Sequence, residues 1–148
     1  EYNATVEFLW APLLVESNSD DPVNHRLDER IIRPDTVLRH ASLWENADIL
    51  VFNTYLWWRQ GPVKLLFVSI HQYTSVLLRK KCLLYSDGSC ILYLFFCRWT
   101  AEENGACEEL DGHGAMELAL GAWADWVSSK VDPLKKRVFF VTISPTHL

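Results

Sequence analysis

The stretch that decides the fold is residues 48–60, DILVFNTYLWWRQ. Its first part, Ile49 to Phe52, is a short apolar run of strand-forming residues, which predicts a strand buried on both faces, as in a parallel sheet. An amide (Asn53), two adjacent tryptophans and a guanidinium (Arg59) follow it directly. Because ligands bind beyond the carboxyl ends of strands in open α/β sheets, these side chains are candidates for a binding site.

The two tryptophans, Trp57 and Trp58, allow two interpretations. A pair of indoles at the end of a strand suits the apolar faces of sugar rings, which favours a carbohydrate site. Trp is also highly buried on average, so both residues could instead belong to the hydrophobic core. The pattern alone leaves both interpretations open.

Strands and helices are predicted to alternate along the rest of the chain. Residues 6–10 read as a strand, and Pro34-Asp35 opens a helix with Asp35 as its candidate N-cap. A second helix is predicted over residues 115–130, and residues 138–143 form another apolar strand. Apolar residues at helical spacing mark the buried faces of the helices, Val37, Leu38, Ala41 and Trp44 in the first and Met116, Ala119, Leu120, Trp123 and Val127 in the second. The order β-α-β-α-β predicts an α/β fold, with a parallel sheet covered by helices.

Length and composition exclude several classes of protein. The 148 residues make one domain's worth of chain, and the net charge of −5 argues against a nucleic-acid partner, which needs a basic surface. No uncharged apolar stretch of about 18 residues is present, so no membrane contact is expected from this segment. The four cysteines have no zinc-ligand spacing, so no metal is expected.

The ends of the chain and one sequon suggest a piece of a larger secretory protein. The chain begins at Glu1 rather than at a methionine, and it stops at Leu148 directly after a strand-like run. We therefore expect an internal fragment of one domain. The triplet Asn3-Ala4-Thr5 is an N-glycosylation sequon, which makes Asn3 a candidate glycosylation site and favours the secretory pathway.

The sequence contains no complete catalytic motif of the kinds that hydrolases, nucleotide-binding proteins and metalloproteases carry. Gly-Asp-Ser, Gly-x-Ser-x-Gly, Asp-x-x-His, a phosphate-binding loop and His-Glu-x-x-His are all absent from it. The five histidines are therefore interpreted as structural or surface groups. The acidic pairs Asp20-Asp21, Glu102-Glu103 and Glu108-Glu109 are interpreted as solvated loop residues.

Several stretches together resemble one known family. They are residues 7–15 (EFLWAPLLV), 30–35 (RIIRPD), 48–59, 123–127 (WADWV) and 137–147, which ends in Ser144-Pro145-Thr146-His147. These stretches resemble the plant trichome birefringence-like family, also called PC-esterase domains. The form Asn-Thr-Tyr-Leu-Trp-Trp at 53–58 is most similar to the xylan O-acetyltransferase branch.

The resemblance implies a fold, a reaction and a location. The fold would be similar to the Ser-Gly-Asn-His hydrolases, here as part of a three-layer α/β/α sandwich with a parallel sheet. The reaction would move an acetyl group onto the hydroxyls of xylan through a serine acyl-enzyme. The parent would be a Golgi protein with one N-terminal transmembrane anchor and a luminal domain. It would use an acetyl donor of unspecified identity and no bound cofactor.

The family's catalytic triad cannot be placed on this chain. Its nucleophile belongs to a Gly-Asp-Ser motif near the start of the domain, and its Asp and His to an Asp-x-x-His motif near the end. Neither motif occurs here. A serine nucleophile needs its base within hydrogen-bond reach, so this polypeptide alone is expected to be inactive.

The resemblance also suggests roles for residues that remain. Asn53 is the candidate oxyanion-hole donor, although Val51 stands where the related hydrolases place a glycine, and a purely structural Asn capping the turn is the alternative. Trp57, Trp58 and Arg59 are the candidates for binding the polysaccharide acceptor. Arg30 and Arg33 are further candidates for this role, with surface ion pairing as the alternative.

Residues 66–97 have no counterpart in the family pattern, so we interpret them as an atypical insertion. Suitable codons for Leu66-Phe67 and Cys97-Arg98 would supply intron donor and acceptor dinucleotides. A translated intron and a genuine surface insertion are therefore the two explanations, and the first is favoured because long loops without structure are uncommon in compact domains. If the intron is real, Cys82, Cys90 and Cys97 have no evolved role. Cys107 would then be the family's own cysteine, with a disulfide partner outside this chain.

Two further functional alternatives follow from the missing triad. One is a non-catalytic carbohydrate-binding remnant that keeps the tryptophans. The other is a non-functional product of mis-splicing.

The intron interpretation predicts that residues 67–98 are dispensable. Deleting them from the complete parent protein should leave cooperative unfolding intact, because the segment would have no evolved packing. Urea denaturation of the deleted and intact proteins tests this. Loss of folding on deletion would contradict the intron interpretation.

Overall fold

The computed structural model describes residues 3–25, 28–67, 95–98 and 104–142. Nine helices and strands lie in these ranges, in the mixed order expected of an α/β protein. In chain order they are β1 (Ile31–Ile32), α1 (Val37–Trp44), β2 (Ile49–Phe52), α2 (Tyr55–Trp58), β3 (Val63–Phe67), β4 (Phe95–Arg98), β5 (Asn104–Leu110), α3 (Gly112–Lys130) and β6 (Arg137–Phe140).

Strands β2 and β6 form a parallel pair, in register from Ile49 opposite Arg137 to Phe52 opposite Phe140. The predicted parallel strand at 49–52 is therefore confirmed. Its predicted burial on both faces is not found within the described residues, because Leu50 and Phe52 are buried but Ile49 and Val51 are 57% and 63% exposed. Helices cover only one face of this pair in the described part of the chain.

The other sheet is mixed, which differs from the single parallel sheet expected from the sequence. Its strand order is β1-β3-β5-β4, with β1 and β3 parallel and the other two pairs antiparallel. Strand β5 has the sequence NGACEEL, which contains no apolar run that would predict it. The pair Glu108-Glu109, expected in a loop, lies in this strand.

Strand β3 and strand β4 place both ends of the predicted insertion in the mixed sheet. Leu66 and Phe67 are 2% and 3% exposed and pair with β5, and Phe95–Arg98 pairs with the other side of β5. Residues 68–94 lie outside the described ranges. The origin of the insertion therefore stays a prediction.

Helix α1 begins later than predicted, and its buried face is different. Thr36, not Asp35, precedes the first helical residue, and the Thr36 hydroxyl donates to the Arg33 carbonyl (2.7 Å) and accepts from the Glu16 N–H (3.1 Å). Leu38 is 64% exposed, whereas His40 is buried beside Val37 and Ala41. The helix thus turns a histidine inward where the pattern predicted a leucine.

Helix α3 begins three residues before its predicted start. Asp111 caps it by accepting a hydrogen bond from the Gly114 N–H at 2.6 Å. The predicted stripe does face the core, since Ala119 is fully buried and the other members are partly buried against the core, namely Met116, Leu120, Trp123 and Val127. No helix in the described part of the chain has both the length and the apolar character needed to cross a bilayer.

The predicted strand at residues 6–10 does not form. The segment has no regular structure, and Val6 and Phe8 are 96% and 85% exposed. A strand needs a neighbour to accept its backbone hydrogen bonds, and within the described residues no strand pairs with this segment.

Edge-to-face and tilted aromatic contacts join the helices to each other and to the β2–β6 pair. Trp44 of α1 lies 5.1 Å from Phe52 and 5.7 Å from Trp126, measured between ring centroids. Trp123 of α3 lies 5.2 Å from Phe52 and 5.3 Å from Phe140. Such contacts add about 0.5–1.5 kcal/mol per pair beyond area burial, so they fix the angle of the helices on the strands.

A buried histidine ties the loop at residues 14–20 to helix α1. His40 is 6% exposed, its Nδ1 lies 3.1 Å from the Leu14 carbonyl oxygen, and its Nε2 lies 3.0 Å from Oδ2 of Asp20. Both partners are acceptors, so both ring nitrogens donate only in the protonated imidazolium. Burial lowers the pKa of His40, but the hydrogen bonds to Asp20 and Leu14 and the Asp20 charge outweigh it, so the pKa is raised overall.

The His40 contacts predict a pH-dependent stability. Because the folded-state pKa is raised, the stabilisation is complete below the ordinary value near 6.5 and is lost as the pH rises through the raised value. In His40→Gln, the free energy of unfolding should fall by about 2 kcal/mol at pH 6, and by less at pH 9. Urea denaturation at a series of pH values measures both. An equal loss at both pH values would contradict the charged pair.

Candidate functional site

The candidate site is built on helix α2, which follows strand β2 after Asn53 and Thr54. Thr54 is fully buried. Its hydroxyl donates to the Pro12 carbonyl and accepts the indole N–H of Trp58 at 2.9 Å. This single hydroxyl therefore connects the N-terminal segment, the end of β2 and the last residue of α2.

Helix geometry separates the two adjacent tryptophans. Trp58 is 3% exposed and belongs to the hydrophobic core, which corrects its predicted role as a polysaccharide contact. Trp57 is half-buried and packs against this core with part of its side chain exposed. Successive residues of a helix point about 100° apart, so Trp58 is buried in the core while Trp57 packs against the core and keeps part of its ring exposed. The sequence could not distinguish the two positions, because both residues are tryptophan.

Trp57 is one of three rings in an aromatic cluster, which consists of Trp10, His25 and Trp57. The ring centroids are 5.2 Å apart for Trp10 and Trp57, 5.0 Å for Trp10 and His25, and 5.4 Å for His25 and Trp57. All three side chains are partly exposed. The sequence did not predict Trp10 or His25 here, because they are distant from Trp57 in the chain and belong to segments without regular structure.

A buried arginine holds the loop that follows Trp57. Arg30 is 6% exposed, and its guanidinium donates to the carbonyl oxygens of Trp57, Gly61 and Pro62. Burial lowers the pKa of Arg30 below its usual value. In the described ranges it pairs with no carboxylate, so its guanidinium holds backbone carbonyls and serves neither as the candidate acceptor contact nor in the alternative surface ion pair.

Arg33, the other arginine proposed as an acceptor contact, lies in an ion-pair cluster. Its Nη1 is 3.1 Å from Oε2 of Glu16, and Arg39 pairs with the same carboxylate. Glu16 is 6% exposed. This cluster fixes the N-terminal segment against α1, which corresponds to the ion-pairing alternative.

Asn53 and Arg59 are both exposed at the two ends of helix α2. Asn53 comes directly after β2, so its amide is accessible at the carboxyl end of that strand. Arg59 lines an open cleft of about 510 Å³ between α2 and the start of α3, together with Gly61, Pro62, Glu109, Leu110, Asp111, Gly112, His113 and Trp58. The structure thus places both predicted residues beyond the strand end, but brings them to no common partner.

Gly112 allows the start of α3 to lie close to the end of α2 in this cleft. A Cβ at this position would overlap the carbonyl oxygen of Trp58. The first residue of α3 therefore packs directly on the end of α2, and only glycine allows this contact.

The remaining predicted residues lie apart from helix α2. Asn3 is exposed, as a glycosylation acceptor must be. Cys107 is fully buried in β5 and is disulfide-bonded. Its disulfide partner is not among the described side chains, so the expected partner outside this chain stays a prediction.

Ser17, Asp20 and His40 have the side chains of a hydrolytic triad but not its geometry. Oγ of Ser17 donates to Asp20 at 3.0 Å, and Asp20 lies between the hydroxyl and the imidazole. A catalytic serine instead needs the histidine as its direct base. Both ring nitrogens of His40 are already engaged, so this arrangement is structural. Asp20 also differs from the solvated loop acid predicted from sequence.

Within the described ranges, no group of three or more histidine, cysteine or carboxylate side chains is placed to hold a metal ion.

Comparison with known proteins defines the class. The model of the PC-esterase family, a GDSL/SGNH-like acyl-esterase family found in Pmr5 and Cas1p, matches residues 1–148. The chain belongs to this family, as its resemblance predicted.

Individual relatives give finer similarities. The chain is 58% identical to protein trichome birefringence-like 35 of Arabidopsis thaliana over 99% of its own length and 26% of that relative. It is 40% identical to xylan O-acetyltransferase 14 of Oryza sativa subsp. japonica over 100% of its length and 28% of the relative. Protein trichome birefringence-like 3 of Arabidopsis thaliana is 47% identical over 99% of the chain and 27% of the relative. The chain thus spans about a quarter of the length of these relatives.

The buried Thr54 hydroxyl predicts a sharp difference between two substitutions. Thr54→Val keeps the shape but leaves the Pro12 carbonyl and the Trp58 N–H without a partner, so it should destabilise the fold by about 2–4 kcal/mol. Thr54→Ser keeps the hydroxyl and should cost about 1 kcal/mol, from the lost methyl group. Urea denaturation followed by tryptophan fluorescence compares them. Equal losses in both variants would contradict a decisive role for the hydroxyl.

Proposed function

We propose that this chain is part of a polysaccharide O-acetyltransferase that transfers acetyl groups to xylosyl hydroxyls of xylan. The observation that carries the proposal is the match of the whole chain to the PC-esterase family, together with a relative named as a xylan O-acetyltransferase at 40% identity. The exposed side chains beyond the carboxyl end of β2 support it, since this is where α/β sheets bind ligands.

The chemistry would proceed through an acetyl-serine intermediate. The serine nucleophile and its Asp and His would come from parts of the parent polypeptide outside this chain, because the sequence contains neither Gly-Asp-Ser nor Asp-x-x-His. Asn53 would donate its amide N–H to the oxyanion that forms when serine attacks the acetyl donor. Its exposure leaves both amide hydrogens available for this contact.

Arg59 would hold the acceptor near this end of the sheet. It is exposed on the cleft between α2 and α3, and its guanidinium offers several donors to sugar hydroxyls. Arg30 is not assigned this role, because its donors are directed at three backbone carbonyls.

The parent is proposed to complete a three-layer α/β/α sandwich. Support comes from the outer face of the β2–β6 pair, where Ile49, Val51, Phe139 and Val141 are 57%, 63%, 52% and 44% exposed. Parallel sheets are normally covered on both faces, so a helical layer from the rest of the parent would bury these side chains. A structure of the complete polypeptide that left this face in solvent would refute the sandwich.

The Golgi lumen is the proposed location, with the parent held by an N-terminal transmembrane anchor. An oxidising lumen is compatible with the disulfide at Cys107, and the exposed Asn3 sequon is accessible to the glycosylation machinery. The acetyl donor is a separate small molecule or protein that this chain does not identify.

A second candidate is a non-catalytic carbohydrate-binding module. The aromatic cluster of Trp10, His25 and Trp57 favours it, because this surface feature needs no catalytic triad. Acetyl transfer by the complete polypeptide distinguishes the two candidates.

The test uses the complete polypeptide that contains this sequence, with xylohexaose as acceptor and mass spectrometry to detect added acetyl groups. The wild-type protein should acetylate the oligosaccharide, and Asn53→Ala should lower kcat by about 100-fold, as loss of one oxyanion donor does. Leu56→Ala, on the exposed side of the following helix α2, is the matched control and should be unaffected. No transfer by the wild type with any acetyl donor would refute the enzyme proposal. Normal kcat in Asn53→Ala would refute only the role of Asn53.

A further inference from the structure

The aromatic cluster of Trp10, His25 and Trp57 is held in place by contacts from its own segments. Nε1 of Trp10 donates to the Ser19 carbonyl at 3.0 Å, and Nδ1 of His25 lies 2.8 Å from the Pro22 carbonyl oxygen. The guanidinium of Arg30 donates a hydrogen bond to the backbone carbonyl of Trp57. The three rings are therefore fixed before any ligand arrives, which reduces the entropy lost on binding.

The polar atoms of the cluster leave one donor and one acceptor available. A carbonyl oxygen can only accept, so Nδ1 of His25 carries the proton and, in the neutral ring, Nε2 is an acceptor. Neither Nε2 of His25 nor the indole N–H of Trp57 bonds to any residue in the described ranges, and neither is buried without a partner. A hydroxyl group both donates and accepts, so this pair matches the edge of a sugar ring.

The charge around the cluster fits a neutral ligand. Arg30, the cation that contacts Trp57, has its donors on backbone carbonyls and is buried. The net charge of −5 disfavours a polyanionic ligand, and the exposed Arg59 two residues after Trp57 can donate to sugar hydroxyls. Aromatic faces with a few hydroxyl-matching groups instead suit an uncharged polyhydroxylated ring.

We propose that Trp10, His25 and Trp57 form a subsite for a xylose ring of the neutral polysaccharide chain, with the Trp57 N–H and the His25 Nε2 bonding its hydroxyls. The identity of the sugar rests on the proposed function, whereas the subsite itself rests on the ring geometry. Trp57 lies in α2, four residues after Asn53, so the subsite would place the acceptor close to the chain that follows β2. This assigns Trp10 and His25 to binding, and it removes Trp58.

The experiment measures xylohexaose binding to the complete polypeptide by isothermal titration calorimetry. Trp57→Leu removes the ring and its N–H and should raise Kd by about tenfold, a typical effect for an aromatic anchor. Trp57→Phe keeps a ring but no N–H and should give a smaller rise, and His25→Ala should weaken binding by a few fold. Leu56→Ala is the matched surface control and should bind as the wild type does. Urea denaturation of every variant identifies any that has lost its fold.

The outcomes separate this proposal from the enzyme proposal. Wild-type Kd and KM values for xylohexaose in folded Trp57→Leu and His25→Ala would overturn the subsite while leaving the acetyltransferase intact. Absence of acetyl transfer by a wild type that binds xylohexaose, with binding weakened by Trp57→Leu, would overturn the enzyme and keep the subsite. A wild type that binds no xylohexaose would overturn the subsite.

Discussion

The hydroxyl of Thr54 is the contact on which the rest of the site depends. It joins three segments that are distant in sequence, because it lies between the carbonyl of Pro12 and the indole of Trp58. With Trp58 buried, the geometry of a helix places Trp57 about 100° further round, where it is only partly buried. The N-terminal segment is held at the same point, and this brings Trp10 alongside the partly exposed ring of Trp57. A single buried polar atom thus sets both a core contact and a surface feature.

Buried charges serve a related purpose elsewhere in the chain. Arg30, Glu16 and His40 are each 6% exposed, and each is matched by carbonyl or ionic partners that offset its desolvation. All three fix segments without regular structure: the loop after α2 and the irregular chain before β1. Where hydrogen-bonded strands and helices are absent, these polar anchors determine the path of the backbone. That path positions the aromatic cluster.

Local patterns predicted the elements whose order depends on nearby residues. Ile49–Phe52 was recognisable as a strand, and the stripe from Met116 to Val127 as the inner face of a helix, because their periodicity is contained within one segment. Strand β5 was not predicted, since it is stabilised by pairing with β3 and β4 rather than by an apolar run of its own. The same limit applied to burial. Whether both faces of β2 are covered depends on the segments that pack against it, and the residues of β2 alone do not determine those segments.

The candidate site was predicted only in part. Asn53 and Arg59 lie exposed beyond the strand end, as expected from the general position of ligand sites in α/β sheets. Trp10 and His25 could not be found, because only tertiary contacts bring them to Trp57. Arg30 could be chosen as a candidate from its charge alone. Its hydrogen bonds to carbonyl groups could not be predicted, because they depend on the turn at Gly61, where φ is +112°.

The pairing of β2 with β6 also determines how the chain tolerates a change in length. These parallel strands close one long loop that contains α2, three strands of the mixed sheet (β3, β4 and β5) and α3. Closure entropy rises only with the logarithm of loop length, so a loop lengthened by the predicted insertion at 66–97 would cost only about 0.4 kcal/mol more to close. A segment of that size can therefore enter the middle of the domain at almost no thermodynamic cost. Its effect would be on the folding rate, because the pairing of β2 with β6 would span a longer sequence separation and would therefore form more slowly.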